Sequence, residues 1–288
     1  MTKVLVTGGE GFVGKNLIRQ LLKENKFTIV SLDNNLTSDK DHSFKKVKYL
    51  TGNTWDAKEI LKDYKFNVIF HFGEYSRIST SFEDIEILQK SIMLGTPVIL
   101  ELAKKWNAKL IYSASSSGLG NENQDQNISP YSWMKSKMVE LIKNYSRWYG
   151  LKYQICYFFN VYGSGQLNKG KYATVIGIFL KQFEEGKKCT VVKPGTQTRD
   201  FTHIDDIVSG LISSLGVEYN YEWFLRRNEI FSIIEVAEIF GEYEMIEERK
   251  GERIETVNFS SDTNKKLNWY PKNNLKDYIN LEKQKLTK

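Results

Sequence analysis

Residues 1–14 read MTKVLVTGGEGFVG, and the fold follows from how this stretch divides. Lys3–Thr7 is a short apolar run with the valine content of a buried strand. Gly8, Gly11 and Gly14 come next. Their spacing suits one glycine to a tight turn, the next to close approach of the backbone to a pyrophosphate, and the last to packing of a helix on the strand. Phe12, Val13, Leu17, Ile18 and Leu21 then recur at helical spacing, and the start of such a helix offers free N–H groups to phosphate. Taken alone, the glycines also fit a plain strand-to-helix turn. Asp33, which ends the second strand candidate, Thr28–Leu32, favours the dinucleotide reading. A carboxylate there accepts hydrogen bonds from ribose hydroxyls and repels a 2′-phosphate. Asn34 and Asn35 follow it and no arginine does, so the spacing predicts NAD rather than NADP.

Further along the chain, Val47–Leu50, Asn67–His71, Lys109–Ser113 and Tyr153–Phe158 read as strands, and helices are expected to begin near Gly11, Asp56, Ser81 and Tyr131. This alternation predicts an α/β fold: a Rossmann-type, doubly wound parallel sheet. From about Gly163 the rhythm changes to longer helices and fewer strands. The expected organisation is a dinucleotide-binding domain over residues 1–165 and a small α/β cap over most of 166–288. Within the cap, Ser232 and Glu235 form a capping box, and Ile233, Val236, Ala237 and Phe240 fall on one helical face.

The composition, 288 residues with 41% hydrophobic and 26% charged, is that of a chain that buries a sizeable core. The net charge of +6 is spread over scattered lysines. That reads as a solvated surface, with a positively biased cleft for an anionic ligand as the second reading. No nucleic-acid-binding signature accompanies the charge. Cys156 and Cys189 lie far apart, and His42, His71 and His203 are dispersed, so neither a disulfide framework nor a metal site is expected. No apolar run approaches the roughly 18 residues of a membrane span. A cytoplasmic protein with no membrane or nucleic-acid partner is the expectation.

The chain resembles the extended short-chain dehydrogenases/reductases that act on nucleotide sugars, the NAD-dependent epimerase/dehydratase group. The resemblance rests on the TGxxGxxG spacing, HFGEYSRISTS at 71–81, LGT at 94–96, YSASSSGLG at 112–120, Tyr131 with Lys135, FFNVYG at 158–163, GTQTRDFTHIDDIV at 195–208, RKGE at 249–252 and NWYP at 268–271. It implies that Tyr131 is the acid/base on a sugar hydroxyl, that Lys135 supports it and holds the nicotinamide ribose, and that Ser115 hydrogen-bonds the reacting oxygen. A free phenol is a poor base at neutral pH, and a nearby ammonium favours the phenolate. It further implies that Gly8, Gly11, Phe12, Val13, Gly14, Asp33, Asn34, Asn53, Thr54, Phe72 and Gly73 hold the cofactor. Arg77, Ser115, Ser116, Asn160, Gln197, Arg199 and Arg249 are implied for the nucleotide sugar. Arg249 also reads as a surface charge. Lys137 falls on the far side of its helix, His71 reads as structural, and His203 with Asp205 and Asp206 reads as a helix start.

The chain also departs from the pattern. Where the 4,6-dehydratases carry an aspartate and a glutamate, this sequence has Ser116 and Ser117, which cannot act as general acid and base at neutral pH. Tyr157, Thr174 and Ile92 replace an arginine and two asparagines of the family, and the loop from Ser117 to Tyr131 is short. A more open site, suited to a larger or unusual sugar, is the expectation. The resemblance implies a homodimer built on the helix from Ser81 to about Lys105 and the helix carrying Tyr131. It points to a 4-epimerase or net 4-dehydrogenase. A nucleotide-sugar ketoreductase and a non-catalytic dinucleotide-sensing module are the alternatives.

Overall fold

The computed structural model describes residues 1–37, 42–120, 127–251, 253–257 and 260–287. The opening run forms β1 (Thr2–Thr7), and the apolar stripe after it forms α1 (Phe12–Lys23), burying Leu17, Ile18 and Leu21. The other strands of the main sheet are β2 (Phe27–Asp33), β3 (Val47–Thr51), β4 (Val68–His71), β5 (Lys109–Ser115), β6 (Tyr153–Phe158) and β7 (Tyr221–Leu225). Their order is β7-β6-β5-β4-β1-β2-β3, and every pairing is parallel. The strand order reverses between β1 and β4. In a doubly wound sheet that reversal opens a crevice beyond the carboxyl ends of the strands, where ligands bind.

The longer helices are α2 (Gly95–Trp106), α3 (Pro130–Tyr149), α4 (Val175–Glu184), α5 (Ile204–Leu215), α6 (Ile233–Phe240) and α7 (Leu275–Leu286). Side chains alternate across the strands, so Val4 and Val6 of β1 join the core beneath α1 and α5, while Leu5 joins the one beneath α2 and α3. Burying a residue of this size contributes roughly 1.5–3 kcal/mol, and burial on both faces is what a parallel sheet requires.

Three features differ from the expected elements. β5 runs two residues past Ser113, because Ala114 and Ser115 pair with Tyr157 and Phe158. The helix expected from Ser81 is broken into a 3₁₀ turn (Ser79–Phe82), a short α-turn (Ile85–Leu88), a π-helical segment (Gln89–Leu94) and α2. Here the Ser91 hydroxyl accepts the Tyr75 backbone N–H at 3.0 Å, tying the π segment to the chain that leaves β4. Third, a division at residue 165 leaves β7 and α5 out of the sheet domain to which they pack. Trp223 of β7 is fully buried and donates its indole N–H to Gln154 of β6 at 2.6 Å.

The cap packs α4, α6 and α7 around Phe179, Val191, Phe240, Leu275 and Ile279. The expected capping box starts α6: the Glu235 N–H donates to the Ser232 hydroxyl at 3.2 Å, and the Ser232 N–H to the Glu235 carboxylate at 2.7 Å. His203 caps α5 by accepting from the Asp205 N–H, and Asp206 accepts from Lys272 and Asn273, anchoring the segment after NWYP. Among the described residues, no helix is long and apolar enough to cross a membrane.

Candidate active site

One cavity of about 550 Å³ runs from the turn after β1 to the cap, and it is lined by every residue that the sequence assigned to cofactor, substrate or catalysis. At its first end, Gly8 has φ of +68°, and a Cβ there would stand 2.8 Å from the Phe72 carbonyl carbon, so the chain after β4 closes directly on the turn. A Cβ on Gly14 would stand 2.1 Å from the Gly8 oxygen, which lets α1 rest on the same turn. Gly11 is the N-cap of α1 and no side chain caps the helix, so its first N–H groups face the cavity without a protein acceptor from a cap.

Asp33 is oriented by two backbone donors, Glu10 at 2.9 Å and Asn35 at 2.8 Å. Burial pushes its carboxyl above the ordinary aspartate value, and the backbone hydrogen bonds partly offset that rise. Asn34 and Asn53 meet, the Asn34 amide donating to the Asn53 carbonyl at 3.0 Å, and the Thr54 hydroxyl donates to the Gly73 carbonyl at 3.4 Å. The residues expected along a dinucleotide therefore form one continuous wall.

The side chains expected to react, Ser115, Tyr131 and Lys135, line the same cavity. Ser115 ends β5 and accepts the Ser117 N–H at 3.3 Å; its hydroxyl lies 2.8 Å from that of Ser117. Ser129 caps α3 and Pro130 occupies its first turn, which sets Tyr131 at the helix entrance with Lys135 one turn on. Both are nearly buried, whereas Lys137 points outward and pairs with Glu140. The Lys135 ammonium donates to the Ser113 carbonyl and to the Glu74 carboxylate, and lies 4.3 Å from the centre of the Tyr112 ring.

Sequence reasoning gave Glu74 no role. Its side chain is 3% exposed and accepts from Lys135, from the Thr96 hydroxyl and from the Tyr112 hydroxyl at 3.2 Å. His71, as expected, is structural: its ring nitrogens meet the hydroxyls of Thr7 at 2.7 Å and Thr96 at 3.0 Å. Burial pushes its pKa down to about 4, so the ring is neutral at neutral pH. Burial likewise pushes the Tyr112 phenol well above its usual range.

The cavity also carries Arg77, from the chain after β4, and Arg199, Arg249 and Arg253, from the carboxy-terminal part of the chain, so part of the net positive charge is gathered in this cleft. Gln197 donates to the Val192 carbonyl at 3.0 Å and leaves its own buried carbonyl oxygen without a protein partner; Arg77 has a buried Nε in the same condition. Asn160 donates to the Asp200 carbonyl at 3.1 Å, and Arg199 to the Arg253 carbonyl at 2.7 Å. Arg249 sits exposed at the rim. Arg253, missed from sequence, donates to the carbonyls of Ser116 at 3.1 Å and Ser117 at 2.8 Å, fastening the cap to the loop after Ser115. The signal for it was a second arginine four places after Arg249; for Glu74 it was an acid directly after Gly73 at an apolar strand end.

Of the three substituted family positions, only Thr174 lines the cavity. It caps α4, accepting the Gly177 N–H at 3.0 Å. Tyr157 instead stacks on Phe224 at 4.9 Å and donates to Glu222 at 2.8 Å, and Ile92 is buried in the core beneath α2 and α3. Residues 121–126 of the short loop, and Glu252 of the RKGE stretch, lie outside the described residues.

Residues 4–218 match the family described as the NAD dependent epimerase/dehydratase family. A UDP-glucuronate 4-epimerase of Thermodesulfobacterium geofontis is 31% identical over 73% of this chain and 71% of its own. A dTDP-D-glucose 4,6-dehydratase of Dictyostelium discoideum is 29% identical over 83% of this chain and 58% of its own. The crystal structure of a UDP-glucose 4-epimerase with UDP-glucose from Thermotoga maritima superposes with a TM-score of 0.90 at 22% identity, covering 98% of this chain and 97% of that one, which shows a shared fold.

Proposed function

This chain belongs to the NAD dependent epimerase/dehydratase family, and from that premise we propose that it is a nucleotide-sugar 4-epimerase. The observation that carries the reading is the single cavity joining the glycine turn and Asp33 to Ser115, Tyr131 and Lys135, and these to Gln197, Arg199 and Arg249. The residues fit NAD: α1 lacks a side-chain cap where a pyrophosphate would sit, and Asp33 stands at the end of β2 where a ribose would. Arginine pairs suit a diphosphate, because the guanidinium fork makes two parallel hydrogen bonds.

NAD, held along Gly8, Gly11, Gly14 and Asp33, would supply the hydride acceptor and donor for the sugar carbinol carbon. The side chains handle the proton and the oxygen. Tyr131 removes the hydroxyl proton as the carbon is oxidised and returns it as the carbon is reduced, Ser115 hydrogen-bonds the same oxygen, and Lys135 holds its positive charge one helical turn away. The proposal excludes 4,6-dehydration, which needs an acid and a base beside Ser115. Ser116 and Ser117 stand there, and the Ser117 hydroxyl is engaged by that of Ser115 at 2.8 Å.

The test is incubation of purified protein and NAD with UDP-glucose, UDP-glucuronate, UDP-N-acetylglucosamine and dTDP-glucose, read by NMR of the sugar and by absorbance of the reduced nicotinamide. One of them is expected to equilibrate with its 4-epimer while no reduced cofactor accumulates. Stoichiometric reduction of NAD, or a 4-keto-6-deoxy product, sinks the reading.

A homodimer and a cytoplasmic setting belong to the same proposal. Trp133, Trp148 and Tyr149 of α3 are 40%, 59% and 54% exposed, an aromatic surface suited to a second copy of the chain. Cys156 and Cys189 are free, buried thiols, which suits a reducing compartment. Trp148→Glu is expected to shift sedimentation from dimer to monomer; a parent protein that sediments as a monomer rejects the dimer.

A further inference from the structure

Two carboxylates line the cavity among the described residues, Asp33 and Glu74. Asp33 lies on the cofactor side. Glu74 lies against Lys135, and no role described above uses it.

The hydrogen-bond directions around Glu74 follow from donor counting. The Thr7 hydroxyl accepts the N–H groups of Phe72 at 3.1 Å and Gly73 at 3.0 Å, so its own proton goes to His71 Nδ1 at 2.7 Å. That leaves the His71 proton on Nε2, facing the Thr96 oxygen at 3.0 Å, and Thr96 in turn donates to Glu74. Tyr112 donates at 3.2 Å, and Lys135 donates as an ammonium. Donors from β5, α2 and α3 thus converge on one nearly buried side chain, the environment of an ionised carboxylate.

The groups facing this pair are His71 on β4, Thr96 on α2, Tyr112 on β5 and, across the cavity, Tyr131 and Arg77. His71 is neutral and Tyr112 is held as the phenol, so neither adds charge. Within the buried cluster, the lysine's charge is matched by one opposite charge in direct contact.

We propose that Glu74 is a positioning residue: it holds the Lys135 ammonium against the ends of β4 and β5, and cancels enough of its field that the ionisation of Tyr131 is governed by the Lys135–Glu74 pair rather than by the lysine alone. This rests on Tyr131 and Lys135 having the roles given above. Its consequence is that the enzyme works over a more alkaline range than it would with an uncharged residue at position 74.

The experiment is a phenolate absorbance titration of the NAD-loaded protein, taken as the difference between each protein and its Tyr131→Phe counterpart, so that it reads Tyr131 without turnover. Glu74→Gln is expected to lower the pH at which Tyr131 ionises by about 1–2 units, and to move the acid limb of kcat/KM the same way. Glu74→Asp, which keeps the charge, restores the parent profile in part. Glu74→Gln/Lys135→Met, which removes both charges and so leaves neither buried alone, is expected to titrate close to the parent. A Glu74→Gln titration that stays put or moves up, or a double variant that titrates well above the parent, overturns the proposal. Full turnover by Tyr131→Phe would instead remove the catalytic reading, and the titration would still report on the pair.

Discussion

A Cβ on Gly14 would stand 2.1 Å from the carbonyl oxygen of Gly8, whereas one on Gly11 would meet only that same oxygen, at 3.3 Å. The two glycines therefore serve different ends. Gly11 has φ −75° and ψ 175°, an extended conformation open to alanine, so Gly11→Ala is expected to cost at most about 1 kcal/mol of stability. It should nevertheless weaken NAD binding about tenfold or more, by filling the space a pyrophosphate needs. Gly14→Ala forces α1 off the turn and is expected to lose about 1–3 kcal/mol as well as NAD affinity. Urea unfolding and NAD titration calorimetry on both variants check this; equal loss of stability in the two would show that the cradle does not divide in this way.

Tyr131 lies in the first turn of α3, capped by Ser129, so its position does not depend on its hydroxyl. Tyr131→Phe is expected to retain NAD binding within about twofold while kcat falls about 10²–10⁴-fold. Steady-state rates combined with a binding titration separate the two quantities. A fall in affinity that accounts for the whole loss of rate would remove the acid/base role.

The parts of this site legible from sequence are those set by local backbone constraints. Gly8, Gly11 and Gly14 fall within one turn and helix start, and Tyr131 and Lys135 within one helical turn, so their spacing alone places them together. Glu74 meets Lys135 across 61 residues of chain, and Arg253 meets Ser116 across 137; no local pattern encodes either contact. Tyr157 shows the converse. It stands where the family has an arginine, but alternation along β6 turns it toward Phe224 and Glu222 of β7. β7 itself reads YEWFL, an aromatic run with no clear alternation, and its identity as a sheet strand emerges only once Trp223 is buried against Gln154. The break in the helix after Ser81 also depends on a tertiary bond, from Tyr75 to Ser91.

Arg253 holds the carbonyls of Ser116 and Ser117 while its own carbonyl accepts from Arg199, so it connects the substrate side of the cavity to the loop beside Ser115. Hydrogen bonds to a charged group contribute about 1.5–3 kcal/mol each. Arg253→Ala is accordingly expected to reduce kcat/KM about 10–100-fold, and Arg253→Lys, which keeps the charge but not the fork, by less. Kinetics on the two variants decide the point, and an unchanged kcat/KM for Arg253→Ala would reduce this arginine to a structural tie.

His71 makes the stability of the protein depend on pH. It is fully buried between Thr7 and Thr96, and its pKa falls from 6.5 to about 4, chiefly through burial; Glu74 opposes that shift and Lys135 adds to it. The unfolded chain therefore takes up a proton at this position at a higher pH than the native protein does. The contribution is fully present above about pH 6.5 and is lost as the pH falls toward 4, because the native state must then either unfold or charge a buried imidazole. At 1.36 kcal/mol per pKa unit the loss amounts to about 3 kcal/mol. His71→Gln cannot take up that proton, so its stability should fall less than the parent's between about pH 7 and about pH 4. Urea midpoints measured at both pH values give the comparison. Parallel pH dependence in the two proteins would mean that the native imidazole takes up its proton as readily as the unfolded chain does, with Nδ1 then donating to Thr7 instead of accepting from it while Nε2 still donates to Thr96.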